Sequence, residues 1–295
     1  NLKFGAADIG GVYYSFASTF TQLADNEIDG YTFETKTTAG SVANLRLISD
    51  GYIDLAIVQA DLLSDAYNAT GTFADKKYQK GYKAVASLYT ECCQIVVRKD
   101  SGITGIDDLI NKTVSVGASE SGTEKNAEQI LKMSGITDEL INKVNMDYTE
   151  AAEKLKAGEI DAFFCTAGTR TEVIGQLSKE CDIRLISLDD KCIDKMLSAY
   201  SLCEKYTIPA GTYNGQDSDV TTIGVKAVLI AKQSLSDDVI KNVTKTIYEH
   251  ADDFKYATSL DISFDINTAA DGVDIPFHSG AAAYYTERGI NVLTE

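Results

Sequence analysis

One short pattern occurs twice in the chain, about a hundred residues apart. Leu47-Ile-Ser-Asp-Gly-Tyr-Ile-Asp54 is matched by Leu155-Lys-Ala-Gly-Glu-Ile-Asp161, and an apolar run follows each copy. Glycine commonly ends a helix because it adopts the left-handed backbone conformation at little cost. An apolar run bounded in this way predicts a buried strand. Joints of this kind are common in α/β proteins, but each copy also follows a polar turn at a predicted helix start. The repetition therefore predicts two lobes of like topology.

Predicted strands and helices alternate through both halves of the chain. Buried strands separated by amphipathic helices imply right-handed crossovers and mainly parallel sheets. The stretch 67–79 is predicted to be a surface excursion, and the last forty residues are predicted to be mostly helix and turn. The predicted strands are 2–6, 31–37, 54–59, 83–89, 94–98, 113–118, 144–148, 162–166, 183–188 and 221–231; the predicted helices run from the turn at 8–14 to about 25 and over 42–48, 106–110, 121–131, 150–157, 194–200 and 236–254.

The stretch 113–131 is predicted to be a short buried strand, a tight polar turn and an amphipathic helix. Ser121 and Glu124 have the spacing of a capping box, in which the serine accepts from the backbone and the glutamate reaches back. Free N–H groups and the positive end of the helix dipole then meet at the turn, so an anionic group of a ligand could bind there without a metal. A capped helix with nothing bound is the alternative. Glu120 and Glu124 oppose an anion unless they point outward.

Composition excludes several classes of protein. The chain has 295 residues, of which 44% are hydrophobic, which suffices for a large core and two lobes. A formal net charge of −17 argues against nucleic acid and against an anionic membrane surface as partners. No apolar stretch approaches the roughly 18 residues of a membrane span. The chain begins almost directly in a strand, without an initiator Met or an apolar signal core, which predicts a sequence trimmed to its mature part and leaves the compartment open.

Neither metal binding nor catalysis has positive support in the sequence. There are six cysteines and two histidines, with no C-x-x-C pair, so we predict no metal and no cofactor. The cysteines are either free buried thiols or include a disulfide among Cys181, Cys192 and Cys203. The run Gly117-Ala-Ser-Glu-Ser-Gly122 is one residue too long for a nucleophile elbow. Phosphate-binding and dinucleotide-binding glycine motifs are also missing from the sequence.

Neutral hydrogen-bonding side chains instead accumulate at predicted turns. Taken singly, each is explained by local capping or by a core hydroxyl that meets a carbonyl. Taken together, at corresponding points of two lobes, they predict a polar cleft that closes around a small polar molecule. These side chains are Tyr13, Tyr14, Ser41, Asn44, Gln59, Gln94, Ser119, Ser121, Thr123, Thr166, Thr169 and Tyr213.

Several of these residues belong to longer motifs that resemble one known family. The resemblance is to the TAXI family, the extracytoplasmic solute-binding proteins of TRAP transporters, and it extends over essentially the whole chain. The motifs that carry it are Gly10-Gly-Val-Tyr-Tyr14, Ala39-Gly-Ser-Val-Ala-Asn-Leu45, Leu55-Ala-Ile-Val-Gln-Ala-Asp61, Asp65-Ala-Tyr-Asn-Ala-Thr-Gly71, Ser121-Gly-Thr-Glu-Lys-Asn126, Asp161-Ala-Phe-Phe-Cys-Thr-Ala-Gly-Thr169, Ile208-Pro-Ala-Gly-Thr-Tyr213, His278-Ser-Gly-Ala281 and Tyr284-Tyr285.

The resemblance implies an α/β, bilobed periplasmic-binding-protein fold of type II, with two mainly parallel sheets, hinge strands and a ligand cleft between lobes. We expect residues 1–90 with about 224–295 to form lobe 1, and 91–223 to form lobe 2. The residues implied to bind ligand are Tyr13, Ser41, Asn44 and Gln59 in lobe 1, Ser119, Ser121, Gly122, Thr123, Thr166, Ala167, Gly168 and Thr169 in lobe 2, and Tyr213 near the hinge.

The resemblance further implies a non-enzymatic, monomeric, extracytoplasmic protein, either periplasmic after removal of a signal peptide or lipid-anchored at the outer face of the membrane. Its partners would be a small organic acid or amino acid, with glutamate or a related dicarboxylate favoured, and an ion-gradient-driven TRAP permease. A ligand-sensing subunit and a small-molecule transferase of the same fold are the alternatives. Arg170 and Ser279 depart from the family pattern, which has proline at both positions. Arg170 either pairs with a ligand carboxylate or, as we favour, faces solvent.

Overall fold

The computed structural model describes residues 1–75, 80–260 and 264–295. Its contacts divide the chain into two compact units. The first unit comprises Asn1–Ile9, Tyr13–Tyr89 and Lys226–Glu295, and the second comprises Gly10–Val12 and Thr90–Val225. The chain passes from one unit to the other within a long strand near residue 90 and again within a second long strand near residue 225.

Three parallel strands form the centre of the first unit. β1 lies between β2 and β3 and is parallel to both, and β3 pairs in antiparallel register with the second half of β10. The rings of Phe16 and Phe254 stack 4.4 Å apart in the core beside this sheet. The elements of this unit are β1 (Leu2–Gly5), α1 (Val12–Glu27), β2 (Phe33–Lys36), α2 (Ser41–Ser49), β3 (Leu55–Gln59), α3 (Ala60–Asn68), the first half of β4 (Tyr82–Arg98), the second half of β10 (Val220–Lys232), α8 (Asp237–Glu249), α9 (Ala251–Thr258) and α10 (Ser279–Thr286).

The second unit repeats this arrangement. β5 lies between β6 and β7 and is parallel to both, and β7 pairs in antiparallel register with the second half of β4. Val114, Ile130 and Phe164 belong to its continuous apolar core. The elements confined to this unit are β5 (Thr113–Ser115), α4 (Gly122–Met133), β6 (Asn142–Val144), α5 (Tyr148–Ala157), β7 (Ala162–Ala167), α6 (Glu172–Glu180), β8 (Ile183–Leu185), α7 (Asp190–Ala199) and β9 (Glu204–Ile208).

The two copies of the sequence repeat make the same contact in their own units. The carboxylate of Asp54 accepts a hydrogen bond from the backbone N–H of Lys3 at 2.9 Å, and that of Asp161 accepts one from Thr113 at the same distance. In return, the backbone N–H groups of Asp54 and Asp161 each donate at 2.8 Å to the carbonyl of the same partner residue. The Ile-Asp joint therefore connects the start of β3 to β1 and the start of β7 to β5, as expected for units of like topology.

Several elements of the secondary structure differ from prediction. The two strands predicted at 83–89 and 94–98 are one strand, β4, because Thr90 and Glu91 keep the extended backbone although they interrupt the apolar pattern. The helix predicted at 236–254 is divided at His250, whose backbone leaves the helical region and whose ring contacts Asp253 at 2.9 Å. The predictions missed β9 and α6. Part of the surface excursion predicted at 67–79 lies outside the described residues; its first two residues end α3.

All six cysteines are free thiols, and five of them are buried. Burial raises the pKa of the Cys93 thiol to about 12, with Thr166 opposing the shift through a hydrogen bond. A thiol with so high a pKa is a poor nucleophile at neutral pH. Of the two states that the sequence left open, the structure shows the free buried thiol rather than the disulfide.

Candidate functional site

In the first unit, Ser41 and Gln59 are joined through a backbone group. Ser41 is the first residue of α2 and Gln59 is the last residue of β3. The backbone N–H of Gln59 donates to the hydroxyl oxygen of Ser41 at 3.0 Å, and both residues are buried. The serine hydroxyl therefore fixes the carboxyl end of β3 against the start of α2.

Asn44 lies one helical turn after Ser41 and has no exposed surface. Its amide nitrogen donates to the carbonyls of Ala6 at 2.7 Å and of Ile57 at 2.9 Å, with a longer contact of 3.4 Å to Gly5. Its amide oxygen accepts from the hydroxyl of Thr38 at 2.7 Å. All the hydrogen-bonding capacity of this side chain is used inside the protein. Asn44 therefore positions β1 and β3 rather than offering a group to a ligand.

The side chains of Gln59 and Asp61 differ from Ser41 and Asn44, because each retains an unused acceptor. Among the described residues, no hydrogen-bond donor reaches Gln59 Oε1 or Asp61 Oδ2. The exposed fractions of the two residues are 2% and 9%. Burial is the main cause that raises the pKa of the Asp61 carboxyl to about 6, and the like charge of Asp65 adds to the shift. The backbone N–H of Leu62 opposes the shift, because it donates a hydrogen bond to Asp61 Oδ1 at 2.9 Å. Asp61 was missing from the predicted site, although only one residue separates it from Gln59.

In the second unit, the polar turn before α4 has half of the predicted capping box. The hydroxyl of Ser121 accepts from the backbone N–H of Glu124 at 3.0 Å, as predicted. The Glu124 carboxylate does not return to Ser121; it accepts from the backbone N–H of Glu120 at 3.3 Å and from the Asn145 amide at 2.6 Å. The backbone φ of Glu120 is positive, so the chain turns one residue before Ser121. This turn brings the backbone N–H of Glu120 to the Glu124 carboxylate.

Gly117 begins this turn and no other residue fits its position. Its φ is +94°, and a Cβ built there would lie 2.9 Å from side-chain atoms of Thr123. The carbonyl of Gly117 also accepts from the Asn145 amide at 2.9 Å. The turn is thus closed tightly on the first residues of α4, where backbone N–H groups have no partner within the helix itself.

Thr123 and Thr166 are the counterparts of Ser41 and Gln59. The backbone N–H of Thr166, near the end of β7, donates to the hydroxyl oxygen of Thr123 at 3.1 Å. Tyr148 adds a further link, since its hydroxyl donates to the Thr166 carbonyl at 3.1 Å and contacts the Thr123 hydroxyl. The Thr166 hydroxyl donates to Asn126 at 3.0 Å. Tyr148 was predicted at the end of a strand, but it is the first residue of α5.

The turn after β7 is fixed by a second network. The Tyr213 hydroxyl donates to the side-chain oxygen of Gln94 and accepts from the backbone N–H of Thr171 at 3.0 Å. The Gln94 amide donates to the Thr171 hydroxyl at 2.9 Å, and that hydroxyl donates to the carbonyl of Gly168 at 2.8 Å. Thr169 contacts the hydroxyl of Tyr206 at 3.1 Å. Tyr213 therefore acts on the predicted Ala167–Thr169 turn through Thr171.

Replacing Tyr213 by phenylalanine is expected to lower the free energy of unfolding by about 2 kcal/mol. The change leaves the Gln94 oxygen and the Thr171 N–H without their partner, and both residues are buried. Chemical denaturation of the purified variant measures the difference. Tyr256→Phe is the control, because that tyrosine is 90% exposed and should leave stability unchanged. Equal stability of Y213F and the native protein would show that the network contributes nothing.

The remaining predicted residues have different surroundings. Tyr13 is buried in the first turn of α1, whereas Ser119 and Arg170 are exposed. The exposure of Arg170 agrees with the solvent-facing alternative. In the described part of the chain, no group of three or more His, Cys, Asp and Glu is placed to hold a metal ion. Within the same residues, no helix is long and apolar enough to cross a membrane.

Comparisons with solved structures identify the fold. The alkanesulfonate-binding protein SsuA from Xanthomonas axonopodis pv. citri is 12% identical, with a TM-score of 0.52 over 88% of this chain and 78% of that one. A putative L-cystine ABC transporter from Listeria monocytogenes is 15% identical, with a TM-score of 0.54 over 88% and 94%. The ligand-binding component of an ABC-type import system from Staphylococcus aureus, with zinc bound, is 12% identical, with a TM-score of 0.53 over 98% and 91%.

These similarities confirm the predicted fold class, the α/β fold of periplasmic binding proteins. Each unit has the parallel strand group that was expected, and the long strands β4 and β10 add antiparallel neighbours. The model of the NMT1-like family matches residues 4–289. The chain therefore belongs to the NMT1-like family, a family of the periplasmic solute-binding type.

Proposed function

We propose that this protein is the extracytoplasmic solute-binding protein of a TRAP-type, ion-gradient-driven permease, and that it captures a small organic acid or amino acid. The observation that carries the solute-binding part is the family match over almost the whole chain. The TRAP part rests on the motifs that resemble the TAXI family. We place the protein in the periplasm or, lipid-anchored, at the outer face of the cytoplasmic membrane, as a monomer without catalytic activity.

The residues proposed to bind the solute are those predicted from the sequence, with 1–90 plus about 224–295 and 91–223 as the two lobes. The structure supports separating them by role. Ser41, Asn44, Thr123, Thr166 and Tyr213 are engaged with other protein groups and would shape the site. The N-terminus of α4, with Ser119, Ser121 and Gly122, would offer backbone N–H groups to a carboxylate of a glutamate-like ligand.

Native mass spectrometry of the protein from its own host, followed by calorimetric titration, tests the proposal. We expect a retained small molecule, and binding of one or more of L-glutamate, L-glutamine, 2-oxoglutarate and succinate in the micromolar range, about −8 kcal/mol. Apoprotein that binds none of the four would contradict the proposed ligand class.

Replacing Ser121 by alanine is expected to weaken solute binding about 10-fold. The hydroxyl holds the Glu124 N–H and thereby the geometry of the turn, and loss of such a cap also costs about 1 kcal/mol of stability. Titration with the retained solute measures the first effect, and thermal unfolding measures the second. Ser236→Ala, which removes an equivalent cap from α8 in the other unit, is the matched control. Equal affinity of S121A and the native protein would remove this turn from the site.

The type of permease needs a separate experiment. Uptake of labelled solute by cells should stop when the ion gradient across the membrane is dissipated, and should continue for a time when ATP alone is depleted. The ABC transporters named among the similar structures depend on ATP, so the opposite response would assign this protein to that class and would overturn the TRAP part of the proposal.

A further inference from the structure

We propose that Gln59 and Asp61 accept hydrogen bonds from a protonated amine of the bound solute. This inference rests on the proposed function and narrows it, because it makes the solute an amine, such as an amino acid, rather than a simple organic acid. Gln59 is the N-cap residue of α3 and Asp61 lies in its first turn. Both side chains belong to the same chain segment at the carboxyl end of β3, where ligands bind in open α/β sheets.

The first argument is the pair of unused acceptors. Gln59 Oε1 and Asp61 Oδ2 each have less than 1 Å² of exposed surface and no hydrogen-bond partner among the described residues. Buried polar atoms are almost always paired, since an unpaired one costs the desolvation of the group. Two such atoms, on residues two positions apart, point to a donor that the described part of the chain does not supply. A protonated amine carries up to three N–H donors, which is enough for both acceptors.

The second argument is charge. Asp61 has no cationic partner in the described part of the chain. A buried carboxylate is stabilised by a cation that also donates a hydrogen bond. A solute carboxylate placed here would instead meet the Asp61 carboxylate and an amide oxygen. This end of α3 therefore selects a cation, although helix N-termini in general favour anions.

The other polar residues nearby cannot take this role. The hydroxyl of Ser41 and both ends of the Asn44 amide are bound to protein groups. The unpaired atoms themselves, Gln59 Oε1 and Asp61 Oδ2, are both acceptors while Asp61 is ionised, so neither can donate to a carboxylate. Since both atoms are enclosed in this conformation, the amine reaches them only after a local opening that then closes around it.

Calorimetric titration of the full chain with L-glutamate and 2-oxoglutarate tests the inference. The two differ at one carbon, which carries an ammonium group in the first and a carbonyl oxygen in the second. We expect glutamate to bind at least 10-fold more tightly. L-Glutamine and glutaramate, which lacks only the amine, form a second pair, in which the amine should again bind more tightly. Preference for the compound without an amine in both pairs would overturn the inference. This test uses the native protein, so it does not depend on a variant that folds.

The variant Asp61→Asn then tests whether Asp61 is responsible for the preference for amines. It should weaken binding of the amines 10-fold or more, because one charge-assisted hydrogen bond is lost. Asp65→Asn removes the same charge from a half-buried position on the same helix and should change affinity less than threefold. Unchanged affinity of D61N for the amines would overturn the assignment of Asp61 to the amine. Binding of organic acids without regard to the amine would refute only this inference, whereas no binding by any of these compounds or by succinate would refute the proposed ligand class as well.

Discussion

Replacing Asp61 by asparagine is expected to raise the free energy of unfolding of the ligand-free protein by about 3 kcal/mol near neutral pH. Burial raises the pKa of this carboxyl from 3.8 to about 6 in the folded chain, so folding disfavours its charged form. The stability that protonated Asp61 contributes is complete below pH 3.8 and is lost as the pH rises through 6. Asparagine is neutral throughout and has a similar shape.

The variant should therefore match the native protein near pH 4 and exceed it progressively up to neutral pH. Urea denaturation at a series of pH values measures this difference. Asp65→Asn is again the control, and we expect it to shift stability by less than about 1 kcal/mol at any pH. A variant that is less stable than the native protein at neutral pH would show that the ionised Asp61 carboxylate has a favourable partner in the folded chain.

Replacing Asn44 by alanine is expected to lower the free energy of unfolding by about 3 kcal/mol. The change removes the donor to the Ala6 and Ile57 carbonyls and the acceptor for the Thr38 hydroxyl, and the side chain is fully buried. Buried carbonyls that lose their donor bear a desolvation cost that water cannot relieve. The measurement is chemical denaturation at neutral pH, followed by fluorescence of the tyrosines, since the chain has no tryptophan.

Asn126 provides the matched control, because it lies one helical turn into α4 as Asn44 lies one turn into α2. Its side chain contacts the Thr166 hydroxyl at 3.0 Å and Gln129 at 3.4 Å, but among the described residues it bonds to no strand carbonyl. Asn126→Ala should therefore cost only about 1 kcal/mol. If both variants lose the same free energy of unfolding, the hydrogen bonds of Asn44 to β1 and β3 contribute nothing to stability beyond the burial of the side chain.

The two predictions at Asp61 and Asn44 have opposite signs, and this contrast separates two kinds of buried polar residue. Asn44 is fully paired, so its removal destabilises the protein. Asp61 has an unpaired oxygen, so its conversion to a neutral amide stabilises the protein. A residue that a protein retains although it lowers stability is often found at a functional site. The expected gain in stability of D61N and its expected loss of amine binding are two measurements of the same unpaired oxygen.

The sequence by itself determined the fold class, the alternation of strands and helices, and the Ser121 cap. These features depend on local patterns: apolar periodicity, a hydroxyl three residues before a backbone N–H, and a glycine after a helix. The Ile-Asp repeat also carried long-range information, because the same joint forms the same pair of hydrogen bonds in both units. Such patterns act between residues that are a few positions apart, so they can be predicted from the sequence alone.

Only the tertiary structure decided which polar residues are already occupied. Asn44 and Gln59 look alike in sequence, as amides near turns, yet residues distant in the chain satisfy the first and leave an oxygen of the second unpaired. Tyr148 and Thr171 were missed because their partners lie 18 to 77 residues away. A hydrogen bond depends on distance and direction in space, and burial depends on all neighbouring elements together. Neither quantity is contained in the spacing of residues along the chain.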